Sequence, residues 1–294
     1  MDHKQPYQKL KPAPVLVECP RDAMQGWPKF ISTENKIRYI NAILKTGFNT
    51  IDFGSFVSPK AVPQMADTVE VLKNLNLEDT KSELLAIVAN ERGATEAAAF
   101  KEITYLGYPF SVSETFQIRN TNAGIEKSFE NLKKIVEICS SNNKKPVIYI
   151  SMAFGNPYGD PWSEDLVYQW IEKLSALDIK IFSLADTVGV ASPNQVYDVC
   201  TRVISLLRGY EIGVHLHADP VNWKYKIDAA LNSGIMRFDS ALKGFGGCPM
   251  AGNDLVGNIN TELLLSYLIE KGFDLDLNEE ALRNAAQIAD EIFL

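Results

Sequence analysis

Eight short apolar runs rich in β-branched residues recur along the chain, at 15–19, 49–54, 84–89, 103–108, 147–153, 179–184, 212–217 and 236–242. Their near-continuous hydrophobicity marks strands of a parallel sheet covered on both faces, because a strand with one wet face alternates polar and apolar residues. The stretches between them carry helical spacing. Residues 34–45 place Ile37, Ile40, Ile43 and Leu44 on one stripe, and 125–138 do the same with Phe129, Leu132 and Val136. Further helices are predicted over 62–77, 163–177, 193–207, 223–233 and 261–271, whereas the connection near 120–127 is partly loop. A strand followed by a helix, eight times over, is the pattern of an α/β chain folded as a (β/α)8 TIM barrel. A doubly wound open sheet is the alternative, but no G-x-G-x-x-G follows the first strand.

No Pro/Ser/Gly-rich linker divides the chain. Residues 13–294 are therefore expected to form one catalytic barrel domain, with 273–294 as a short helical C-terminal extension and 1–12 as a polar tail. The tail has no apolar core for a secretory signal, and the expected location is cytoplasmic. No apolar run approaches the roughly 18–20 residues of a membrane span. Formal charge is −8, from 29 basic and 37 acidic residues, so nucleic acid is not an expected partner. The four cysteines, Cys19, Cys139, Cys200 and Cys248, are scattered and suggest neither a disulfide framework nor structural zinc.

Chemistry in such a barrel collects at the C-terminal ends of the strands. The first strand opens into a loop at Arg21-Asp22, a pair that alone is equally well a solvated ion pair. The seventh ends in His215-Leu216-His217, which holds every histidine of the chain except His3. Residues i and i+2 of a strand face the same side, so two imidazoles here would bite one metal. After the eighth strand comes a Gly-rich loop, 244–258, readable as a surface turn or as a mobile lid carrying one thiol. Closure of a barrel sets the eighth strand beside the first and the seventh, so Asp22, His215, His217 and a residue of that loop converge. One carboxylate with two imidazoles suits a divalent metal, Mg2+ or Mn2+ first, with Zn2+ or Co2+ as alternatives.

At these residues the chain resembles the 3-hydroxy-3-methylglutaryl-CoA lyase family, of the metal-dependent TIM-barrel lyase and Claisen-type superfamily. The resemblance runs from about 15 to 267. It is carried by PRDAMQ (20–25), SFVSPKAVPQMADTVEVL (55–72), SLADTVGV (183–190), HLH (215–217), GFGGCPMA (244–251) and GNINTE (257–262). It implies cleavage of 3-hydroxy-3-methylglutaryl-CoA to acetyl-CoA and acetoacetate in leucine breakdown, with an acyl-CoA as substrate and a homodimer as the expected assembly. By motif match, Asp22, His215, His217 and Asn258 look like metal ligands. Arg21 looks like the residue that stabilises enolate charge, and Cys248 like the thiol near the reacting carbon. Asp186 and Gln25 fall on active-site positions, Ser55 and Ser183 lie near the acyl group, and Lys60 is a candidate for a CoA phosphate. The first proton goes to His215, Asp22 or Asp52, and the motifs leave that choice open. Several positions depart from the family pattern. Asp52 stands for a Glu, Val147 for an Arg, Ala218 for an Asp and Cys19 for a Gly, and one extra residue before Asn258 makes Asn253 a rival ligand. The alternatives are a related aldolase or condensing enzyme acting on another acid, and a metal-binding homologue without catalysis.

Overall fold

Hydrophobic strands with both faces to cover find their partners by closing on themselves. In a computed structural model, which describes residues 11–247 and 256–294, eight parallel strands run in chain order around a closed barrel. The elements are β1 (Val15–Glu18), α1 (Pro20–Gln25), α2 (Thr33–Ile43), β2 (Thr50–Ser55), α3 (Thr68–Lys73), β3 (Glu83–Ile87), α4 (Glu91–Ala98) and β4 (Ile103–Ser111). There follow α5 (Glu114–Thr121), α6 (Ile125–Ser141), β5 (Lys145–Ser151), α7 (Glu164–Ser175), β6 (Ile181–Asp186), α8 (Pro193–Leu206), β7 (Glu211–Leu216) and α9 (Trp223–Ser233). Last come β8 (Arg237–Ser240), α10 (Thr261–Glu270) and α11 (Glu279–Phe293). The seam is made by β1 and β8, where Val17 lies opposite Asp239 and Glu18 opposite Ser240. Among the described residues no helix is long and apolar enough to cross a membrane.

Alternation along the strands sorts their side chains into two cores. Leu84, Ala86, Ile148, Ile150, Phe182 and Leu184 join the large core under the helices. Leu85, Ile87, Tyr105, Val147, Tyr149 and Ile181 form a separate cluster along the barrel axis. That axial core is apolar on the side of β3 to β6, whereas the inward positions of β7 and β8 carry His215, Arg237 and Asp239, all buried. The polar half of the barrel lies under the candidate site.

Three local expectations differ from the structure. Residues 20–25 are not a loop but the helix α1. Pro20 at its first turn has no N–H to leave unpaired, and Asp22 meets the positive end of the helix dipole. The helix predicted over 62–77 is reduced to a 3-10 turn at Pro63–Met65 and the six residues of α3. Asn74 ends α3 by donating its side chain back to the Glu70 carbonyl at 2.9 Å. The helix α4 has no large apolar stripe to reveal it. Its buried face is Gly93, Ala94, Ala97 and Ala98, and a Cβ on Gly93 would sit 2.3 Å from the Phe56 carbonyl oxygen.

The C-terminal extension is helical, as expected, and it docks beside the site. Phe293 of α11 stacks on Phe245 at 4.6 Å between ring centroids and meets Trp27, just past α1, at 5.1 Å. The root of the loop after β8 is thereby tied to α11 and, through Phe293, to the residues that follow α1.

Candidate metal centre and active site

The helix α1 begins at the mouth of the barrel and points two charged side chains of opposite sign into it. Arg21 is buried, and its guanidinium forks onto Asp52 of β2, with Nε at 3.2 and 3.1 Å from the two carboxylate oxygens and Nη2 at 2.5 Å. Its Nη1 donates to Asp22 at 2.9 Å. Nε, Nη1 and Nη2 each commit one N–H to these carboxylates, and among the described residues the other two of the five guanidinium N–H groups have no protein partner. Burial pushes the Asp22 carboxyl up, but Arg21, His215, His217 and Asn258 more than offset it and hold Asp22 well below the usual carboxylate range. For Asp52, burial wins over the Arg21 fork and its carboxyl is raised.

His215 and His217 both turn inward from the end of β7, as their spacing requires. The Nδ1 of His215 meets Asp239 Oδ2 at 3.1 Å, and the Nδ1 of His217 meets the Thr187 carbonyl at 3.0 Å. A carboxylate and a carbonyl only accept, so both Nδ1 atoms carry the proton and both Nε2 atoms present lone pairs. Those two Nε2 atoms lie 3.3 Å apart. Two bonds of about 2.1 Å meeting at roughly 100° on one ion leave nitrogens about 3.2 Å apart, so the bite fits a divalent metal. Donor atoms of Asp22, His215 and His217 all lie within 4.8 Å of one another. Burial and the neighbouring His215 push His217 down to about 4, which keeps it neutral. Burial also opposes charge on His215, but the Asp239 hydrogen bond and charge, with the charge of Asp22, more than offset it and raise the ring.

The Asp22 carboxylate is oriented from both sides. Gln25, one turn along α1, donates to Oδ1 at 2.7 Å, and Asn258 donates to Oδ2 at 2.8 Å. Asn258 spends the same Nδ2 on the Phe245 carbonyl, also at 2.8 Å, which leaves its Oδ1 as the atom it could offer a metal. The chain comes this close because Gly246 takes φ +101° and lacks a Cβ, which would stand 2.7 Å from the Asp22 carbonyl oxygen.

Arg21, Asp22, Gln25, Asp52, His215, His217 and Asn258 therefore meet in one cluster. Ser183 stands at its edge, with Oγ 3.5 Å from Asp239 Oδ2. Asp186 pairs instead with buried Lys226 at 2.6 Å, and that same ammonium donates to the His217 carbonyl at 2.9 Å, so Asp186 bears on the site through Lys226. Ser55 has no hydrogen bond to the cluster; its Oγ donates to the Ile87 carbonyl at 3.4 Å. Lys60 is exposed on the loop after β2. Cys248 and Asn253 lie outside the described residues. Motif matching missed Asp239, Lys226 and Thr187. For Asp239 a signal existed: a carboxylate at an inward position of an otherwise apolar strand is costly unless it is used.

A closed parallel barrel with buried carboxylates, imidazoles and a guanidinium gathered at the C-terminal ends of its strands has the architecture of a TIM-barrel enzyme. The HMGL-like family model matches residues 16–289, and the chain belongs to that family. It is 32% identical to the hydroxymethylglutaryl-CoA lyase of Bacillus subtilis over 275 residues, covering 92% of this chain and 90% of that protein. It is 33% identical to the mitochondrial hydroxymethylglutaryl-CoA lyase of Homo sapiens over 268 residues, covering 90% of this chain and 81% of that one. Among solved structures, an A. baumannii HMG-CoA lyase in complex with coenzyme A and 3-methylmalate superposes with a TM-score of 0.88 at 31% identity, covering 96% of this chain and 91% of that chain.

Proposed function

We propose that this chain is a carbon–carbon lyase that cleaves 3-hydroxy-3-methylglutaryl-CoA to acetyl-CoA and acetoacetate by a metal-assisted retro-Claisen reaction. The observation that carries the reading is the convergence of Asp22, His215 and His217 beside Arg21 at the barrel mouth, in a chain of this family. Asp22, His215, His217 and Asn258 would hold a divalent ion, Mg2+ or Mn2+ in preference to Zn2+ or Co2+, given the hard oxygen donors. When bound, such an ion supplies Lewis-acid activation of the substrate's tertiary hydroxyl.

The protein's own groups account for the remaining chemistry. Of the three candidates, His215 has its Nδ1–H on Asp239 and its Nε2 committed as a ligand, so Asp52 or Asp22 takes the hydroxyl proton, and the oxygen electrons form the ketone of acetoacetate. The electron pair of the broken C–C bond passes to the thioester, whose enolate oxygen meets the two N–H groups that Arg21 has left. Arg21 is held for this by Asp52, so its fork does not reorganise as charge develops. Cys248 then delivers a proton to the enolate carbon, giving acetyl-CoA. Ser55 and Ser183 are assigned to the acyl group, Lys60 to a CoA phosphate, Gln25 to orienting Asp22, and Asp186 to support of the His217 backbone through Lys226.

We read residues 13–294 as one catalytic domain, supported by the unbroken barrel. A cytoplasmic location is supported by the free buried thiols of Cys19, Cys139 and Cys200, which suit a reducing compartment. A homodimer rests on the prevalence of two-fold closure among oligomers and is checked by light scattering. The deciding experiment incubates the protein with Mn2+ and 3-hydroxy-3-methylglutaryl-CoA and assays acetoacetate. No product above the metal-free control would end the proposal.

A further inference from the structure

Asp239 belongs to no motif of the sequence, yet it is buried in the polar half of the barrel and makes the only contact that holds His215 by its Nδ1 among the described residues. Its place follows from strand register. Val214 of β7 pairs with Phe238 of β8, so the next inward residues along both strands, His215 and Asp239, stand side by side. The carboxylate also receives the Ser183 Oγ at 3.5 Å, and the edge of the Tyr149 ring closes on His215 at 5.8 Å between centroids. Arg237, two residues back on the same strand face, is buried with its stem against Gly213. It supplies positive charge next to Asp239. Among the described residues the Asp239 Oδ1 and the Arg237 Nε and Nη2 have no hydrogen-bond partner. His217 is held differently, by the neutral carbonyl of Thr187.

We propose that Asp239 is the positioning residue of the metal centre, which fixes the His215 ring in the Nδ1–H tautomer and aims its Nε2 lone pair at the ion. The proposal rests on the reading of Asp22, His215 and His217 as ligands. A carboxylate at Nδ1 sets which nitrogen is free, stops the ring from turning, and makes the free nitrogen a stronger donor than one backed by a carbonyl. The two imidazoles of one ion are therefore unequal. His215 is the anchored, electron-rich ligand and His217 the weaker one.

Two measurements test this, one of them without metal. In protein labelled with 15N-histidine only His3, His215 and His217 report. The metal-free wild type should show a downfield, exchange-protected Nδ1 proton for His215 and an unprotonated Nε2. Asp239→Asn, whose amide can itself donate to the ring, should lose that signal and mix the tautomers. In the second measurement, free Mn2+ is followed by electron paramagnetic resonance during titration. Asp239→Asn should raise Kd by about 10- to 100-fold at unchanged stoichiometry, the range typical of losing such a partner. Asp239→Glu keeps the charge but moves it by one methylene, and should fall between the two. If Asp239→Asn fails to fold by circular dichroism, Asp239→Glu decides alone, with a rise of at least about threefold expected. A Kd within about twofold of wild type, or a His215 tautomer unchanged by the substitution, overturns the proposal. Absence of Mn2+ binding by the wild type would instead remove the ligand reading beneath it.

Discussion

Asn258 and Asp22 stand 236 positions apart in the chain and meet through one amide-to-carboxylate hydrogen bond of 2.8 Å. The contact joins the far end of the loop after β8 to the first helix, and with Gln25 it fixes Asp22 independently of the two imidazoles. The carboxylate alone would still be in place if both histidines were lost, but one oxygen ligand and one amide are a weak chelate. His215→Ala/His217→Ala is therefore expected to abolish divalent-metal binding and leave the barrel folded, since both residues stand at a strand end and not in the apolar cores. Isothermal titration with Mn2+ and a circular dichroism spectrum of the metal-free protein check the two halves. Unchanged metal stoichiometry in the double variant would contradict the site.

Arg21 offers a second test, because its engaged and free N–H groups make different predictions. Arg21→Met keeps most of the apolar stem but loses the guanidinium that Asp52 aims at the substrate. Loss of a donor used mainly in the transition state lowers kcat, here by at least about 10²-fold, and leaves KM nearly unchanged. Steady-state kinetics with 3-hydroxy-3-methylglutaryl-CoA separate this from simple anchoring, which would raise KM alone.

The barrel and the three-residue cluster were both legible in the sequence. A strand buried on both faces must be apolar over its length, so eight such runs count the strands, and any charged or imidazole-bearing residue in them needs a use. His215 and His217 are found that way, whereas Asp22, past the end of the first run, is placed by its position after a strand end and by closure of the barrel. The helix α4 was not, because close approach to Phe56 demands Gly93 and alanines where a large apolar stripe would have been the signal. Asp186 was placed in the site by motif, but its charge is absorbed by Lys226, a residue 40 positions later on α9 whose partner no local pattern reveals. Asp239 was passed over although it lies inside the eighth run. Its value depends on the register between β7 and β8, which is a tertiary fact.

Cys248 carries the last proton in the proposed reaction, and its substitution separates acid chemistry from metal binding. An ordinary thiol titrates near pH 8.5, whereas a serine hydroxyl is a far weaker acid. Cys248→Ser is expected to bind Mn2+ with the wild-type Kd and to lose most turnover. Titration and acetoacetate assay on the same preparation give both values. Full activity in the variant would take Cys248 out of the mechanism.

Glu18 makes stability depend on pH in a direction opposite to most carboxylates. It sits wholly buried at the end of β1 and holds both ends of the segment after β8, accepting from the Leu242 N–H at 2.7 Å and the Thr261 hydroxyl at 2.6 Å. Among the described residues no cation is paired with it, and burial raises its carboxyl from 4.5 to about 8 in spite of those two hydrogen bonds. The folded protein therefore keeps a proton at neutral pH that the unfolded chain has released. Such a group contributes its full stability below pH 4.5 and loses it as pH rises toward about 8. With 1.36 kcal/mol per pH unit, the loss between pH 4.5 and 7 is about 3 kcal/mol. Glu18→Gln cannot ionise, and its amide oxygen still accepts the Leu242 N–H. The difference in unfolding free energy between variant and wild type should thus shift in favour of the variant by about 3 kcal/mol over that interval. Urea unfolding at several pH values, with EDTA present so that metal release adds nothing, measures it. A difference that stays constant with pH would mean that Glu18 is already ionised in the folded protein, with Thr261 and Leu242 sufficient to hold the charge.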